Sequence, residues 1–346
     1  MLEWKKLGEL CRIRTGKLNA NQRVDDGQYP FFTCDINPYR IDTYDFDGES
    51  ILVSGNGNVG HLNYYVGKFN AYQRTYVLLQ FEYVSGRYLF HYLESFFKAY
   101  IWSKLKKGSV PYITLPLLSD FLIPIPSLSE QTRIVGILDT FTASIENLKQ
   151  QIAQRRKQYE HYREQLLDLE GKEGVEMKRL SEVAELGTGS SNTNEELSMG
   201  KYPFFVRSQA VRYKEEYEFD ETAIITSGDG VGVGKIFHFV EGKYALHQRA
   251  YRIHLVKDGI VPKFFYYYFA CHFYDYIQKN AFNSSVTSVR KPMLQKFPTP
   301  IIDKETQLSI VSVLETFEAS IANLEQQLAQ RERQYEYYRN KLLTFE

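Results

Sequence analysis

The sequence has no excess of either charge: 42 lysines and arginines stand against 42 aspartates and glutamates. Such a chain carries no overall field for nucleic acid or an anionic membrane, so contact with either would rest on local patches or a basic partner. Cysteine is scarce as well. Cys11, Cys34 and Cys271 fall at no metal or redox spacing, and an odd count argues against a disulfide framework, so a reducing cytoplasm is expected. The seven histidines are dispersed without carboxylate or cysteine neighbours at ligand spacing, and no metal site is expected. The Gly-x-x-x-x-Gly-Lys-Ser/Thr phosphate loop is missing. The opening MLEWKKLGEL shows no basic segment followed by an apolar core, and the densest apolar run, Phe264 to Cys271, is much too short to span a bilayer. No membrane role is expected.

Aromatic residues, by contrast, are plentiful: 27 Tyr and 23 Phe in 346 residues. Tyrosine in such number suits wide surfaces that are half apolar and half hydrogen-bonding. Two long heptad stripes are also present. In 130–169, apolar or aromatic residues fall at Ile134, Leu138, Phe141, Ile145, Leu148, Ile152, Tyr159, Tyr162 and Leu166, with Arg155 in the one interrupted slot. In 306–346 the series is Ile310, Leu314, Phe317, Ile321, Leu324, Leu328, Tyr335, Tyr338 and Leu342, with Arg331 in the same slot. Steps alternating four and three average about 3.5 residues, which keeps one helix face on a partner along a left-handed supercoil. Each helix would be roughly 55 Å long, too long for its stripe to be covered within one domain, so the two should pack on each other.

The repetition extends to the whole chain. Trp4-Lys5-Lys6-Leu7 returns as Met177-Lys178-Arg179-Leu180, Tyr29-Pro30-Phe31-Phe32 as Tyr202-Pro203-Phe204-Phe205, and Phe46-Asp47 as Phe219-Asp220. Gln73-Arg74 matches Gln248-Arg249, and the helices match from Gln131 to Gln307. One module is thus written twice. Each opens with strand-like segments, Glu49–Ser54 and Thr75–Tyr83 in the first, Glu221–Ser227 and Arg249–Val256 in the second. Aromatic helices are expected at Arg87–Leu105 and Lys263–Lys279, then a polar loop and a proline-bounded exit, Pro124-Ile125-Pro126 and Pro298-Thr299-Pro300. The prolines should stop each globule, and Ser129 with Glu130, or Asp303, should cap the long helix. The expected domains are 1–127, 128–170, 171–300 and 301–346, with a short linker near Gly171 to Gly174.

A chain that visits globule, helix, globule, helix through short connections can pair its helices only antiparallel. The expected fold is therefore α+β: two similar mixed α/β domains joined by two long helices in an antiparallel coiled coil with pseudo-two-fold symmetry. Two equivalent readers at fixed separation suit duplex DNA, whose turns recur about every 34 Å.

In this organisation the chain resembles the specificity (S) subunits of type I restriction-modification systems, over essentially its whole length. The resemblance is carried by the Trp-Lys-Lys-Leu-Gly-Glu-Leu opening, the Tyr-Pro-Phe-Phe and glycine-loop-then-Gln-Arg pattern of each globule, and the Pro-x-Pro exit followed by a glutamine. The helix pattern from Ile134 to Leu166 and its copy add to it, and all recur together, in the same order, twice. The resemblance implies two target recognition domains, each reading one half of a split double-stranded DNA sequence. It implies that the helices bind two modification (methyltransferase) subunits, which recruit ATP-dependent restriction subunits, with the stripe residues Ile134 to Tyr162 and Ile310 to Tyr338 as the partner-binding face. It further implies a non-catalytic chain without a cofactor of its own; S-adenosylmethionine, ATP and magnesium would act on the partners. This chain is compact for that family, which bears on its surface loops.

The repeat itself sorts the candidate DNA contacts. Positions identical in both modules cannot distinguish two half-sites, so they should scaffold the fold or hold phosphates. These are Gly55, Gly57, Gln73 and Arg74, with Gly228, Gly230, Gln248 and Arg249. Positions that differ are candidates for base contacts: Thr33, Cys34, Asp35, Asn37 and Arg40 against Val206, Arg207, Ser208, Ala210 and Tyr213, with Gln209 and Arg212 in the same segment. Asn56 and Asn58 against Asp229 and Val231 belong with them. Arginine and asparagine suit guanine and adenine edges in the major groove. The loops before each exit carry Lys104, Lys106, Lys107, Ser109 and Tyr112 in one module, and Asn280, Asn283, Ser284, Ser285, Thr287, Ser288, Arg290 and Lys291 in the other. The plain reading of these is a solvated loop; the functional one is contact with DNA.

Two enzyme motifs are incomplete. Gly55-Asn56-Gly57-Asn58-Val59-Gly60 fits G-x-G-x-x-G, but His61 to Phe69 does not read as the helix that a dinucleotide site requires, and the matched loop spaces its glycines differently. Asn37-Pro38-Tyr39 is part of the Asn-Pro-Pro-Tyr motif of adenine methyltransferases, with Ala210-Val211 at the matched position. Methylation chemistry is therefore expected of a partner. The reading is a DNA-recognition subunit; the alternative is a coiled-coil interaction scaffold with two protein-binding globules, which predicts no salt-dependent DNA affinity.

Overall fold

Runs such as Ser50-Ile51-Leu52-Val53 and Ala223-Ile224-Ile225-Thr226 are apolar on both faces of an extended chain, which suits the middle of a covered sheet. They lie there in the computed structural model, which describes residues 2–104, 111–280 and 288–345. The chain divides into two compact units, Met1–Lys149 with Gln326–Glu346, and Gln150–Glu325.

The first unit runs β1 (Glu3–Lys6), α1 (Leu7–Leu10), β2 (Arg12–Thr15), β3 (Tyr29–Phe32), β4 (Tyr39–Ile41), β5 (Phe46–Ser54), β6 (Leu62–Ala71) and β7 (Thr75–Leu79). It continues through α2 (Gly86–Lys104), α3 (Leu115–Ser119) and β8 (Leu122–Ile125) into the long helix α4 (Leu128–Leu167). Among the described residues its main sheet has the order β2-β7-β5-β6-β3-β4, mixed because β3 pairs parallel with β6. Alternation along β5 sends Ile51 and Val53 towards α2, where Tyr88, Leu89, Leu93, Phe97 and Ile101 are buried. Leu52 faces the other side with Phe32, Phe46, Phe69 and Val77. Each such side chain contributes about 1.5–3 kcal/mol on burial.

The second unit repeats the plan with β9 (Glu176–Arg179), β10 (Ala184–Thr188), β11 (Tyr202–Phe205), β12 (Arg212–Lys214), β13 (Phe219–Ser227), β14 (Phe237–Leu246) and β15 (Ala250–Leu255). Then come α5 (Pro262–Asn280), α6 (Lys291–Gln295), β16 (Pro298–Ile301) and the long helix α7 (Lys304–Leu343). The sheet order β10-β15-β13-β14-β11-β12 is the first unit's order in copy, including the parallel pair β11–β14. The aromatic run of α5 closes on Phe297, whose ring meets Phe269, Tyr276, Phe273 and Tyr268 at centroid distances of 5.0, 5.1, 5.7 and 6.0 Å.

Three expectations change. The exit prolines do not interrupt regular structure: Pro124, Pro298 and Pro300 lie in β8 and β16, the last strands before α4 and α7, which pair with β1 and β9 as two-stranded ribbons, where a missing N–H is tolerated on an edge. The cap of α4 is Ser127, not Ser129: its Oγ accepts from Glu130 N–H at 3.3 Å. Asp303 does cap α7, accepting from Thr306 N–H at 2.8 Å. The ten-residue strands β6 and β14 are not evident from the sequence, because glycine and lysine interrupt their apolar alternation.

A buried glutamine enters each long helix. Gln131 Oε1 accepts from Ser85 N–H, and its amide donates to the Tyr83 and Pro126 carbonyls at 3.1 and 2.9 Å. Gln307 does the same with Val261 N–H and the Gly259 and Ile302 carbonyls. Further along, the helices pair antiparallel within each unit. In the first, Phe141 stacks on Tyr338 at 5.4 Å with Arg331 over the Phe141 ring at 5.6 Å. In the second, Phe317 stacks on Tyr162 at 5.4 Å with Arg155 at 5.8 Å. The arginines that interrupt the heptad series therefore cover phenylalanine rings.

Candidate nucleic-acid interface

In each unit three chain segments meet behind the glycine turn. Gly55 N–H donates to the Arg74 carbonyl at 2.9 Å, and Ile113 N–H donates to the Gly55 carbonyl at 2.8 Å. The second unit has the same knot, Gly228 N–H to Arg249 at 2.9 Å and Val289 N–H to Gly228 at 2.8 Å. Glycine is required because a Cβ at 55 or 228 would lie 2.6 or 2.7 Å from the arginine carbonyl oxygen. The knot fixes the Gln-Arg turn beside whatever side chains follow the glycine.

The glutamines serve the fold: Gln73 donates to Asn19 Oδ1 at 3.0 Å, and Gln248 donates to Asn192 Oδ1. The arginines remain exposed. Around the knot of the first unit, Asn56, Gln73, Arg74 and Tyr112 line a cleft of about 420 Å³, and the Arg74 side chain has no partner among the described residues. In the second unit Arg207, Ser208, Arg212 and Asp229 line a cleft of about 390 Å³. Here Asp229 is shared: Arg207 Nη1 donates to its Oδ1 at 2.6 Å and Arg249 Nη1 to its Oδ2 at 3.1 Å. Burial pulls the Asp229 carboxyl up, but the two guanidinium groups outweigh it and hold it below the usual aspartate range.

Other candidates are differently placed. Thr33 is buried and its hydroxyl holds Asp35, which also accepts from Tyr39 OH at 2.9 Å. Arg40 donates to the Gly27 and Gln28 carbonyls at 2.9 and 3.0 Å, which ties down its guanidinium. Asn58 donates to the Cys34 carbonyl, Ser208 to Ala210 and Gln209 to Phe237, while Arg212 pairs with Glu196 at 3.6 Å. Asn37, Tyr213, Arg290 and Lys291 are exposed, and Lys104 is exposed at the end of α2. Lys106, Lys107, Ser109, Asn283, Ser284, Ser285 and Thr287 lie outside the described residues. Sequence reasoning missed a third cleft, about 430 Å³, in the first unit between the glycine turn and α2, lined by Asn58, His61, Glu94, Lys98 and half-exposed Trp102. No periodicity marks it, because it forms where a loop crosses a helix.

The helix stripes serve the chain's own packing first. Ile134 and Leu138 are buried in the first unit's core, Ile310 and Leu314 in the second's. Phe141 meets Tyr335 and Tyr338, and Phe317 meets Tyr159 and Tyr162. Ile152 is buried; Ile145, Leu148, Ile321, Leu324 and Leu328 are half-buried. Tyr162 and Tyr338 are the stripe residues left 43% and 41% exposed. Among the described residues no cluster of histidine, cysteine and carboxylates could hold a metal ion, and no helix is long and apolar enough to cross a membrane.

Comparison with known proteins adds the following. The family described as the type I restriction modification DNA specificity domain matches residues 1–155 and 172–333. The specificity subunit of the type I restriction enzyme EcoDI from Escherichia coli is 38% identical over 168 residues, covering 48% of this chain and 37% of that protein's length. A Haemophilus influenzae protein named as a type I restriction enzyme specificity subunit is 27% identical over 385 residues, covering 99% of this chain and 96% of its own. A crystal structure of a type I S subunit from M. genitalium superposes with a TM-score of 0.74 at 17% identity, covering 100% of this chain and 97% of that one, a likeness of fold.

Proposed function

The chain belongs to the type I restriction-modification DNA specificity family, and from that premise we propose that it is the non-catalytic DNA-recognition subunit of a type I restriction-modification complex. Each module reads one half of a bipartite duplex target. The outer faces of α4 and α7, including Tyr162 and Tyr338, dock two methyltransferase subunits, through which restriction subunits join. S-adenosylmethionine, ATP and magnesium act on those partners, and the complex works in the cytoplasm.

One observation carries this reading. The same backbone knot presents an identical exposed arginine in both units, Arg74 and Arg249, beside neighbours that differ. A shared cation suits phosphates, which are the same everywhere, and differing neighbours suit bases, which are not.

The test is a genome-wide map of N6-methyladenine in the host with and without the gene. A split motif with a fixed gap should lose methylation on deletion, and exchanging residues 1–127 for another subunit's should alter one half only. An unchanged map while the protein is expressed would overturn the reading.

A further inference from the structure

We propose that the second module selects a guanine through Arg207, with Asp229 as the positioning residue that fixes its guanidinium. The inference rests on the DNA-recognition reading above and names one base and one pair of residues within it.

Arg207 gives Nη1 to Asp229 at 2.6 Å, and its Nε and Nη2 make no hydrogen bond among the described residues. The free edge of the guanidinium then offers two parallel N–H donors, the arrangement that matches O6 and N7 of guanine. Adenine places an amino donor where guanine has O6, so the same edge disfavours it. A lone carboxylate in such a cleft would repel phosphate; Asp229 does not stand alone, because Arg249 takes its second oxygen at 3.1 Å. Two guanidinium groups on one carboxylate leave an excess positive charge at the cleft.

The first unit shows which members of this trio specify. Cys34 and Asn56 stand where Arg207 and Asp229 do, whereas Arg74 keeps the place of Arg249. Arginine and its carboxylate are thus present together or absent together, and the shared arginine is indifferent to them. In the first unit Cys34 Sγ donates to the Arg74 carbonyl at 3.4 Å, so that position supports the turn and offers no fork. The first half-site is therefore not read by an arginine fork from position 34.

The experiment uses the full chain purified with the methyltransferase subunits that accompany it, and duplexes carrying the motif from the methylation map. Each guanine of the motif is replaced in turn by 7-deazaguanine, which lacks the N7 acceptor. One guanine in the second module's half should weaken binding by about tenfold. Arg207→Ala should abolish that sensitivity. Asp229→Asn should narrow the guanine-over-adenine preference at the same position and leave the other half untouched, and Asp229→Glu should restore it in part. No response at any guanine of that half, a response surviving in Arg207→Ala, or a uniform weakening of all sequences by Asp229→Asn would overturn the proposal. The substituted duplexes need no variant, so a misfolded mutant does not leave the matter open. Failure of the wild-type complex to prefer any split motif would instead sink the DNA-recognition reading, and this inference with it.

Discussion

The two units fasten a globular helix to a long helix with different chemistry at the same place. In the first, α2 offers Arg87 and His91 to Asp139 of α4: Arg87 Nε donates to both carboxylate oxygens at 2.8 and 3.1 Å, and His91 Nε2 lies 2.6 Å from Oδ1. In the second, α5 offers Tyr267 to Glu318 of α7 at 2.7 Å, and Tyr159 reaches the other oxygen at 3.0 Å. Lys263, in the place of Arg87, lies over the rings of Phe239, Tyr266 and Tyr267 at 4.8 to 5.4 Å instead of pairing. By the repeat, Asp139 corresponds to Glu315 and Glu318 to Thr142, so the carboxylate has moved by one turn. A buried donor needs an acceptor with good geometry, whichever turn supplies it. The seam preserves a satisfied donor; residue identity is free to drift.

Removing the carboxylates should break the symmetry of that statement. Asp139→Ala should cost about 3 kcal/mol, since His91 is 1% exposed and its Nδ1 already lacks a partner, so both ring nitrogens would be orphaned. Glu318→Ala should cost less, about 1–2 kcal/mol, because its side chain is exposed and water can reach the hydroxyl of half-buried Tyr159, leaving only that of buried Tyr267 orphaned. Urea unfolding gives the totals, and amide exchange in α2 and α5 assigns each loss to its unit. Equal losses would mean that the two anchors are not chemically distinct.

Acid should sharpen the comparison. Burial pushes His91 below the ordinary histidine value of 6.5, and Asp139 only partly offsets it, so the folded ring is neutral and donates from Nε2. Burial raises the Asp139 carboxyl, but Arg87 and His91 outweigh it and keep it ionised below the usual range. A histidine depressed on folding binds its proton more readily when unfolded. Its contribution is therefore complete above 6.5 and is lost as pH falls below that value. Protection of α2 amides should decline from pH 7 towards pH 5.5, roughly one unit below the ordinary histidine pKa, with the Glu94 carboxyl on the same helix, raised by burial, working in the opposite direction; at the matched place α5 has Tyr267, which burial and then Glu318 raise further from neutrality. His238 and His247, also depressed by burial, belong to the second sheet and its turn. His91→Tyr, which imports the second unit's residue, should flatten the α2 profile; an unchanged slope would remove His91 from the account.

Such pairings explain where the sequence stops being informative. The heptad stripes and the duplicated module were legible because periodicity and repetition are properties of the chain read along its length. Gly55 and Gln73-Arg74 were legible for the same reason, each having a partner copy. Arg40 was not, since its carbonyl partners are 12 and 13 residues away across a hairpin, and neither was the burial of Thr33. The prolines misled because a ribbon with β1 or β9 accepts them. Arg207 and Asp229 were each named as candidates, but their meeting across 22 residues depends on the knot at Gly228 and on β11 and β13, which flank β14 in one sheet.

Arg155 and Arg331 offer the smallest and most exacting comparison. In the sequence they are gaps in two apolar series; in the fold each guanidinium covers a phenylalanine, at 5.8 and 5.6 Å. A planar cation over a ring supplies both contact area and attraction to the ring face, and lysine would reproduce neither fully. Alanine at either position should cost about 0.5–1 kcal/mol, with leucine recovering most of it as contact area. Because the geometries match and each pair lies within its own unit, the two costs should be equal and should add in the double variant. An unequal pair in urea unfolding would show that the seam has diverged as the anchors have. Equality here, beside unequal losses at Asp139 and Glu318, would locate the constraint of the repeat in the packing of helix on helix, and its freedom in the polar contacts that tie each globule to that packing.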